Sequence, residues 1–169
     1  CHRSARGILL YRDYEMSVGS QYVGAACALW VLPDLQTRKL LNVTHTPIAE
    51  LKETVGGLTP RIKKLTALHT PDDRTFVEDR LMRYSDTDVN AHVNNTKYAD
   101  FACDALDLAA RREGEFISEL EITYHEECQP GERIRISTAN IQPDRFVHGE
   151  GADQDSRFDV RLRLNIEGQ

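Results

Sequence analysis

Hydrophobic and polar residues alternate along most of the C-terminal half of the chain. Between Phe158 and Ile166 an apolar side chain occupies every second position, and shorter stretches repeat this pattern. A period of two residues is typical of a β-strand with one buried face. The pattern predicts strands at 75–84, 117–124, 133–138, 144–150 and 158–166. Turns are expected at Gln129-Pro130-Gly131 and at 151–156.

A helical spacing interrupts this strand pattern after the first of these strands. Apolar residues recur there at intervals of three or four, at Tyr98, Phe101, Ala102, Ala105, Leu106 and Ala109. This is the spacing of an amphipathic helix, which we expect from about Asn95 to Arg112 with Asn94 or Asn95 as its N-cap. One helix followed by a meander of four strands predicts an α+β fold in which an antiparallel sheet wraps the helix.

The N-terminal third of the chain predicts a hairpin. Residues 7–16 are followed by a turn at 18–20, and the nearly continuous apolar run from Tyr22 to Leu32 predicts a strand buried on both faces. A single hairpin is marginal in water, so this one needs a further pairing partner. Thr46-Pro47 predicts the start of a short helix. We therefore divide the chain into 1–42, a connector at 43–74, and 75–169.

Composition and charge exclude some classes of function. The formal net charge of -6 argues against a general nucleic-acid binder, which is usually basic. The longest apolar run, 25–32, is too short to cross a membrane. No signal-peptide pattern is present, and the four cysteines have no paired spacing, so we expect a cytoplasmic protein with reduced thiols. Whether the chain forms a homodimer stays open.

Basic residues cluster within the predicted connector. The densest group, here called the basic connector patch, consists of Arg61, Lys63 and Lys64. Such a cluster is either a solvated face or a docking surface for an acidic partner protein.

Two groups of polar residues are candidates for chemistry. Asp88, Asn90 and His92 occupy alternate positions just before the helix, so in an extended segment all three would project toward one site. A polar turn that caps the helix would use the same carboxylate and amide, but it has no need of the imidazole. The second group is Glu127 and Cys128, for which the sequence alone favours an exposed glutamate beside an inert buried cysteine.

These two groups resemble a known family. The string Asp88-Val89-Asn90-Ala91-His92-Val93-Asn94-Asn95-Thr96-Lys97-Tyr98 resembles the active-site segment of acyl-ACP thioesterases, which have a double hot-dog fold. Tyr124-His125-Glu126-Glu127-Cys128-Gln129 falls where that family has its Glu-Cys pair. The resemblance implies that 75–169 form a complete hot-dog repeat and that 1–42 are the closing strands of another.

The resemblance also implies an activity and its residues. A member of this family would hydrolyse the thioester of fatty acyl-ACP during fatty acid biosynthesis, with no cofactor and with acyl carrier protein as partner. Its catalytic residues would be Asp88, Asn90, His92, Glu127 and Cys128. On local charge alone, the basic connector patch is the candidate surface for binding the carrier. Two alternatives stay open, namely an acyl-CoA thioesterase of the same fold and a non-catalytic module that binds acyl chains or a carrier.

Two mechanisms fit these residues. Cys128 could be a nucleophile that His92 activates and Asn90 orients. Alternatively, Asp88 or Glu127 could activate water or attack the thioester, with Asn90 orienting the attacked group and His92 or a helix-start N–H stabilising the oxyanion. We favour the second, because a thioester has a good leaving group and a cysteine on an apolar strand has a raised pKa. The remaining histidines have no metal-ligand spacing and are expected at the surface, at His2, His45, His69, His125 and His148.

Overall fold

The computed structural model describes residues 2–50 and 66–166, with side chains from residue 6 onward. The chain divides into two compact units, Cys1–Leu65 and Thr66–Gln169. The basic connector patch and most of the helix predicted from Thr46 lie outside the described residues. The described start of that segment forms two short 3₁₀ helices, Val43–His45 and Pro47–Glu50.

The first unit contains a three-stranded antiparallel sheet. Its strands are β1 (His2–Arg6), β2 (Leu9–Val18) and β3 (Gln21–Trp30), in the order β1-β2-β3. The predicted hairpin is β2–β3, and β1 is the further strand that the hairpin required.

The predicted burial of β3 on both faces is wrong. Tyr22 and Val23 are each more than 60% exposed, and Trp30 is also exposed. The apolar run owes its length to small residues, Gly24-Ala25-Ala26-Cys27-Ala28, which contain little apolar surface to bury. Such a run therefore indicates a strand but does not require that it be buried.

The second unit contains a five-stranded antiparallel sheet. Its strands are β4 (Thr75–Leu81), β5 (Glu115–Tyr124), β6 (Arg133–Ile141), β7 (Asp144–Glu150) and β8 (Ser156–Ile166). Every strand bound lies within three residues of the sequence prediction. The order is β4-β6-β7-β8-β5, so the predicted four-strand meander is wrong, since β5 pairs with β8 and not with β6. Burial explains this order, because Ile122 lies opposite the buried Val160 and itself packs against the core.

The helix α1 (Lys97–Ala105) is shorter than predicted. Asp107 adopts a left-handed conformation with φ of 49°, and only a 3₁₀ turn, Leu108–Ala110, follows it. The N-cap is Thr96, not either asparagine. Asn94 still holds this turn, because its Oδ1 accepts hydrogen bonds from the N–H and the hydroxyl of Thr96 at 2.9 and 2.8 Å.

One face of α1 packs against the sheet to form the core of this unit. Tyr98, Phe101 and Ala102 are buried against apolar residues from the strands and from the segments beside them, namely Met82, Val93, Cys128, Ile134, Ile136, Val147, Phe158 and Val160. A helix packed against an antiparallel sheet in this way is the α+β hot-dog arrangement predicted from the sequence. No helix among the described residues combines the length and the apolar character needed to span a membrane.

Candidate active site

The segment that contains Asp88, Asn90 and His92 is a tight turn, so the predicted extended geometry is wrong. The N–H of Asp88 donates to the carbonyl of His92 at 2.9 Å, and the N–H of Ala91 donates to the carbonyl of Asp88 at 3.1 Å. Ala91 has a φ of 62°, which reverses the chain between them. Asp88 and His92 therefore lie at the base of the turn, while Asn90 is exposed at its tip.

The base of this turn borders a cleft of about 450 Å³. Three parts of the second unit meet there: the turn, the start of α1 and the chain that leaves β5. The lining residues are Asp88, His92, Val93, Asn94, Asn95, Tyr98, Tyr124, His125, Glu126 and Glu127. Of the five predicted catalytic residues, the fold thus brings Asp88, His92 and Glu127 to one cleft, and neither Asn90 nor Cys128 lines it.

His92 and Glu127 face each other across the cleft. His92 Nε2 lies 3.5 Å from Glu127 Oε2, and both side chains are exposed enough to meet a substrate. Glu127 lies beyond the end of β5 at Tyr124, so the alternation of the strand does not determine the direction of its side chain. The Asp88 carboxylate is oriented by its own turn, because its Oδ1 accepts a hydrogen bond from the N–H of Asn90 at 2.8 Å.

Cys128 lies in the core behind the cleft and is fully buried. Its N–H donates to the hydroxyl oxygen of Tyr98 at 3.4 Å, and its carbonyl accepts the N–H of Val93 at 3.4 Å. Burial raises the pKa of its thiol to about 11. A thiol in this environment is protonated at neutral pH, so it is a poor nucleophile.

Two tyrosines form the apolar wall of the cleft. The rings of Tyr98 and Tyr124 meet edge to face with centroids 5.1 Å apart. The hydroxyl of Tyr124 donates to the carbonyl of Asn95 at 3.0 Å, which ties β5 to the start of α1. The start of α1 therefore borders the cleft, and the dipole of a helix favours negative charge near its N-terminus.

A buried carboxylate that the sequence did not reveal lies next to this cleft. Asp159 accepts hydrogen bonds from His125 Nε2 and His148 Nδ1, both at 2.9 Å, and from the N–H of Thr70 at 3.1 Å. Burial alone would raise the pKa of Asp159, but the hydrogen bonds from His148, Thr70 and His125 outweigh it and hold the pKa well below the usual range. The predicted surface positions of His125 and His148 are thus wrong, because the first is half-buried and the second is buried.

Potential metal ligands also meet at Asp159. His69, His125 and Asp159 present ligand atoms that all lie within 4.8 Å of one another. The only sequence signal for this cluster is one acidic residue between the apolar residues Phe158 and Val160. Positions 69, 125 and 159 are too far apart in the chain to resemble a metal motif.

Comparisons with known proteins agree with the fold and with the motif. The sequence profile described as the acyl-ACP thioesterase C-terminal domain matches residues 69–169. The chain is 28% identical over 148 residues to a chloroplastic acyl-(acyl-carrier-protein) hydrolase of Cuphea viscosissima. It is 29% identical over 149 residues to the chloroplastic palmitoyl-acyl carrier protein thioesterase of Arabidopsis thaliana. These matches cover 85% and 84% of this chain but only 34% and 35% of the relatives, so the chain spans about a third of their length.

Solved structures show the same fold. An acyl-ACP thioesterase from Bacteroides thetaiotaomicron superposes with a TM-score of 0.74 at 17% identity, covering 97% of this chain and 66% of that one. The 12:0-ACP thioesterase from Umbellularia californica gives a TM-score of 0.65 at 21% identity, covering 98% and 64%. The profile match extends over more than half of the chain and includes the cleft described above. This chain belongs to the acyl-ACP thioesterase family.

Proposed function

We propose that this protein hydrolyses the thioester bond of a fatty acyl group attached to acyl carrier protein, releasing a free fatty acid. The observation that supports this most directly is the meeting of Asp88, His92 and Glu127 in one cleft. Carboxylates and imidazoles are among the groups that most often perform general acid–base catalysis. The start of α1 adds a positive dipole end where the thioester carbonyl would become an oxyanion.

The proposed reaction begins with water between Glu127 and the thioester. The Glu127 carboxylate accepts a proton from this water as its oxygen bonds to the carbonyl carbon. His92, 3.5 Å from Glu127 in the resting cleft, donates a hydrogen bond to the resulting oxyanion together with the N-terminus of α1. When the tetrahedral intermediate collapses, the C–S bond breaks, and the proton held by Glu127 passes to the departing thiolate sulfur.

Asp88 is the second carboxylate of this proposal. Its position depends on the turn, because the N–H of Asn90 donates to Oδ1 and the Asp88 N–H donates to the His92 carbonyl. Asp88 orients the water from the side opposite Glu127, and Asn90 contributes through its backbone N–H. Cys128 has a structural role, since its thiol is buried and protonated.

The identity of the acyl carrier is a separate part of the proposal. The two chloroplastic relatives are named for acyl carrier protein substrates. Acyl carrier proteins are acidic, so the basic connector patch is the candidate docking surface on a chain whose formal net charge is -6.

The test compares two substrates and one substitution. Release of free fatty acid from palmitoyl-ACP and from palmitoyl-CoA is measured by mass spectrometry for the wild type and for Asp88→Asn. We expect a higher kcat/KM for palmitoyl-ACP, and at least about a hundredfold lower rate in the nearly isosteric variant. A preference for palmitoyl-CoA would overturn the proposed carrier. Wild-type rates in a folded Asp88→Asn variant would overturn the role of Asp88, and no turnover of either substrate would refute the hydrolase assignment.

A further inference from the structure

The geometry around Asp159 points to a second site. We propose that His69, His125 and Asp159 bind a divalent transition-metal ion, with Zn²⁺ as the best fit. The three ligand atoms lie within 4.8 Å of one another, and His125 Nε2 is 2.9 Å from Asp159 Oδ2. Two ligands of a tetrahedral zinc ion lie about 3.3 Å apart, so these two atoms need little movement to share one ion.

The carboxylate is already oriented for such a role. His148 Nδ1 and the Thr70 N–H both donate to Oδ1, at 2.9 and 3.1 Å, whereas His125 contacts Oδ2. A metal-binding carboxylate in proteins is typically held in this way, by hydrogen bonds to the oxygen that does not bind the ion. Metal binding would thus replace one hydrogen bond, that between His125 and Oδ2, and leave the contacts of Oδ1 intact.

His69 is held next to the carboxylate by the two residues that flank it. The N–H of Leu68 donates to Thr123 Oγ1 at 2.9 Å, and the N–H of Thr70 donates to Asp159. These two anchors fix the backbone on both sides of His69, and its ring stacks on that of His125 with centroids 5.6 Å apart. The His69 side chain is exposed, so its ring can rotate toward a shared ion, and the ion can reach the site from solvent.

The ligand set selects the class of ion. Two imidazole nitrogens and one carboxylate oxygen suit Zn²⁺ and its neighbours Co²⁺ and Ni²⁺, whereas Mg²⁺ and Ca²⁺ prefer oxygen ligands throughout. Three protein ligands leave a fourth position for water. The ion would be close to the thioesterase cleft, because His125 also lines that cleft. The inference nevertheless rests on the ligands alone and not on the proposed hydrolysis.

A nearby cluster of three carboxylates differs from the proposed metal site in its exposure and in its partners. Glu126, Asp153 and Asp155 are also close together, but all three are exposed. The guanidinium of Arg157 lies 3.0 Å from Glu126 and 2.7 Å from Asp153, so a cation already neutralises this cluster. Asp155→Ala is therefore a matched control for loss of a carboxylate near the proposed site.

The test is calorimetric titration of the chelator-treated chain with Zn²⁺. We expect one ion per chain, with an affinity at least about tenfold lower in His69→Ala, since loss of an outer-shell partner alone lowers metal affinity by about 10–100-fold. His69 is exposed and is not part of the core, so this variant should keep its circular dichroism spectrum. His45→Ala, which removes an exposed histidine of the other unit, and Asp155→Ala should both bind as the wild type does.

Cobalt substitution gives a second readout. Co²⁺ bound by His69, His125 and Asp159 should show the strong visible absorption of a four-coordinate site, and His69→Ala should abolish it. Absence of one-to-one binding would overturn the proposal, since the hydrogen bonds of Asp159 would then be complete without an ion. Equal affinity in wild type and His69→Ala would also overturn it. So would binding that survives His69→Ala but is lost in His92→Ala, because the ion would then lie in the catalytic cleft.

Discussion

Replacing Cys128 with alanine and Glu127 with glutamine should separate stability from catalysis. These neighbours occupy opposite environments, because Cys128 is fully buried in the core and Glu127 is exposed in the cleft opposite His92. If a carboxylate performs the chemistry, Cys128→Ala should weaken the fold and keep most of the activity. Glu127→Gln should leave the stability of the fold nearly unchanged and remove most of the activity.

The structure gives the size of each effect. With a pKa of about 11, the Cys128 thiol is ionised in about one molecule in a thousand at pH 8, so its thiolate is almost absent during turnover. Its removal leaves a small cavity and should lower the free energy of unfolding by about 1 kcal/mol, as for other deletions of one buried heavy atom. Glu127→Gln removes the proposed base and should lower kcat by at least about a hundredfold, with little change in unfolding.

The assay pairs fatty acid release from palmitoyl-ACP with urea unfolding of each variant. Cys103→Ala is the control for loss of a thiol, because Cys103 is half-buried on α1 and its pKa is also raised by burial. It should retain wild-type kcat. Loss of activity in a folded Cys128→Ala variant would refute the reasoning, and so would an acyl group found on Cys128 by mass spectrometry during turnover.

Three further predictions concern other parts of the molecule. Since hydrogen bonds hold the pKa of Asp159 below that of an unfolded carboxyl, its stabilising contribution is complete above about pH 4 and is lost as the pH falls toward the folded pKa. Urea unfolding between about pH 5 and pH 3 should therefore show a steeper loss of stability in the wild type than in Asp159→Asn. Gly149→Ala should destabilise the fold by about 1–3 kcal/mol, because a Cβ there would clash with the buried Phe158 ring; an unchanged urea midpoint would contradict this. Replacing the basic connector patch with serines should raise KM for palmitoyl-ACP at low salt and leave that for palmitoyl-pantetheine unchanged, and equal effects on both would exclude carrier docking there.

Local patterns predicted the elements of the second unit well. The error in strand order arose from pairing between distant segments, and the error in helix length from one local backbone conformation. The strand β8 follows from the alternation between Phe158 and Ile166, which needs no knowledge of any partner. The pairing of β5 with β8 is different, since nothing in either sequence excludes pairing of β5 with β6. The helix ended early because Asp107 is left-handed, although the apolar spacing continues to Ala109.

For the candidate site, the sequence predicted residues that line the cleft but not how the backbone arranges them. Asp88 and His92 belong to one continuous motif, and the structure places both at the cleft. Their expected extended geometry failed because Ala91, an ordinary residue in the sequence, has a positive φ. The environment of the Asp159 carboxylate could not be anticipated, because its partners Thr70 and His125 lie 89 and 34 residues away in the chain.

The position of Glu127 shows why an inert cysteine belongs beside it. The chain stays attached to β8 just beyond β5, since the N–H of His125 donates to the carbonyl of Arg157 at 2.9 Å. It then leaves the sheet, and three residues later Cys128 returns it to the core, where its N–H meets the Tyr98 hydroxyl. Glu127 lies directly before this second anchor, so a buried side chain at Cys128 fixes where the carboxylate can reach. In the proposed mechanism a small apolar side chain that fills this space should therefore support full activity, because Cys128 positions Glu127 and takes no part as a thiolate.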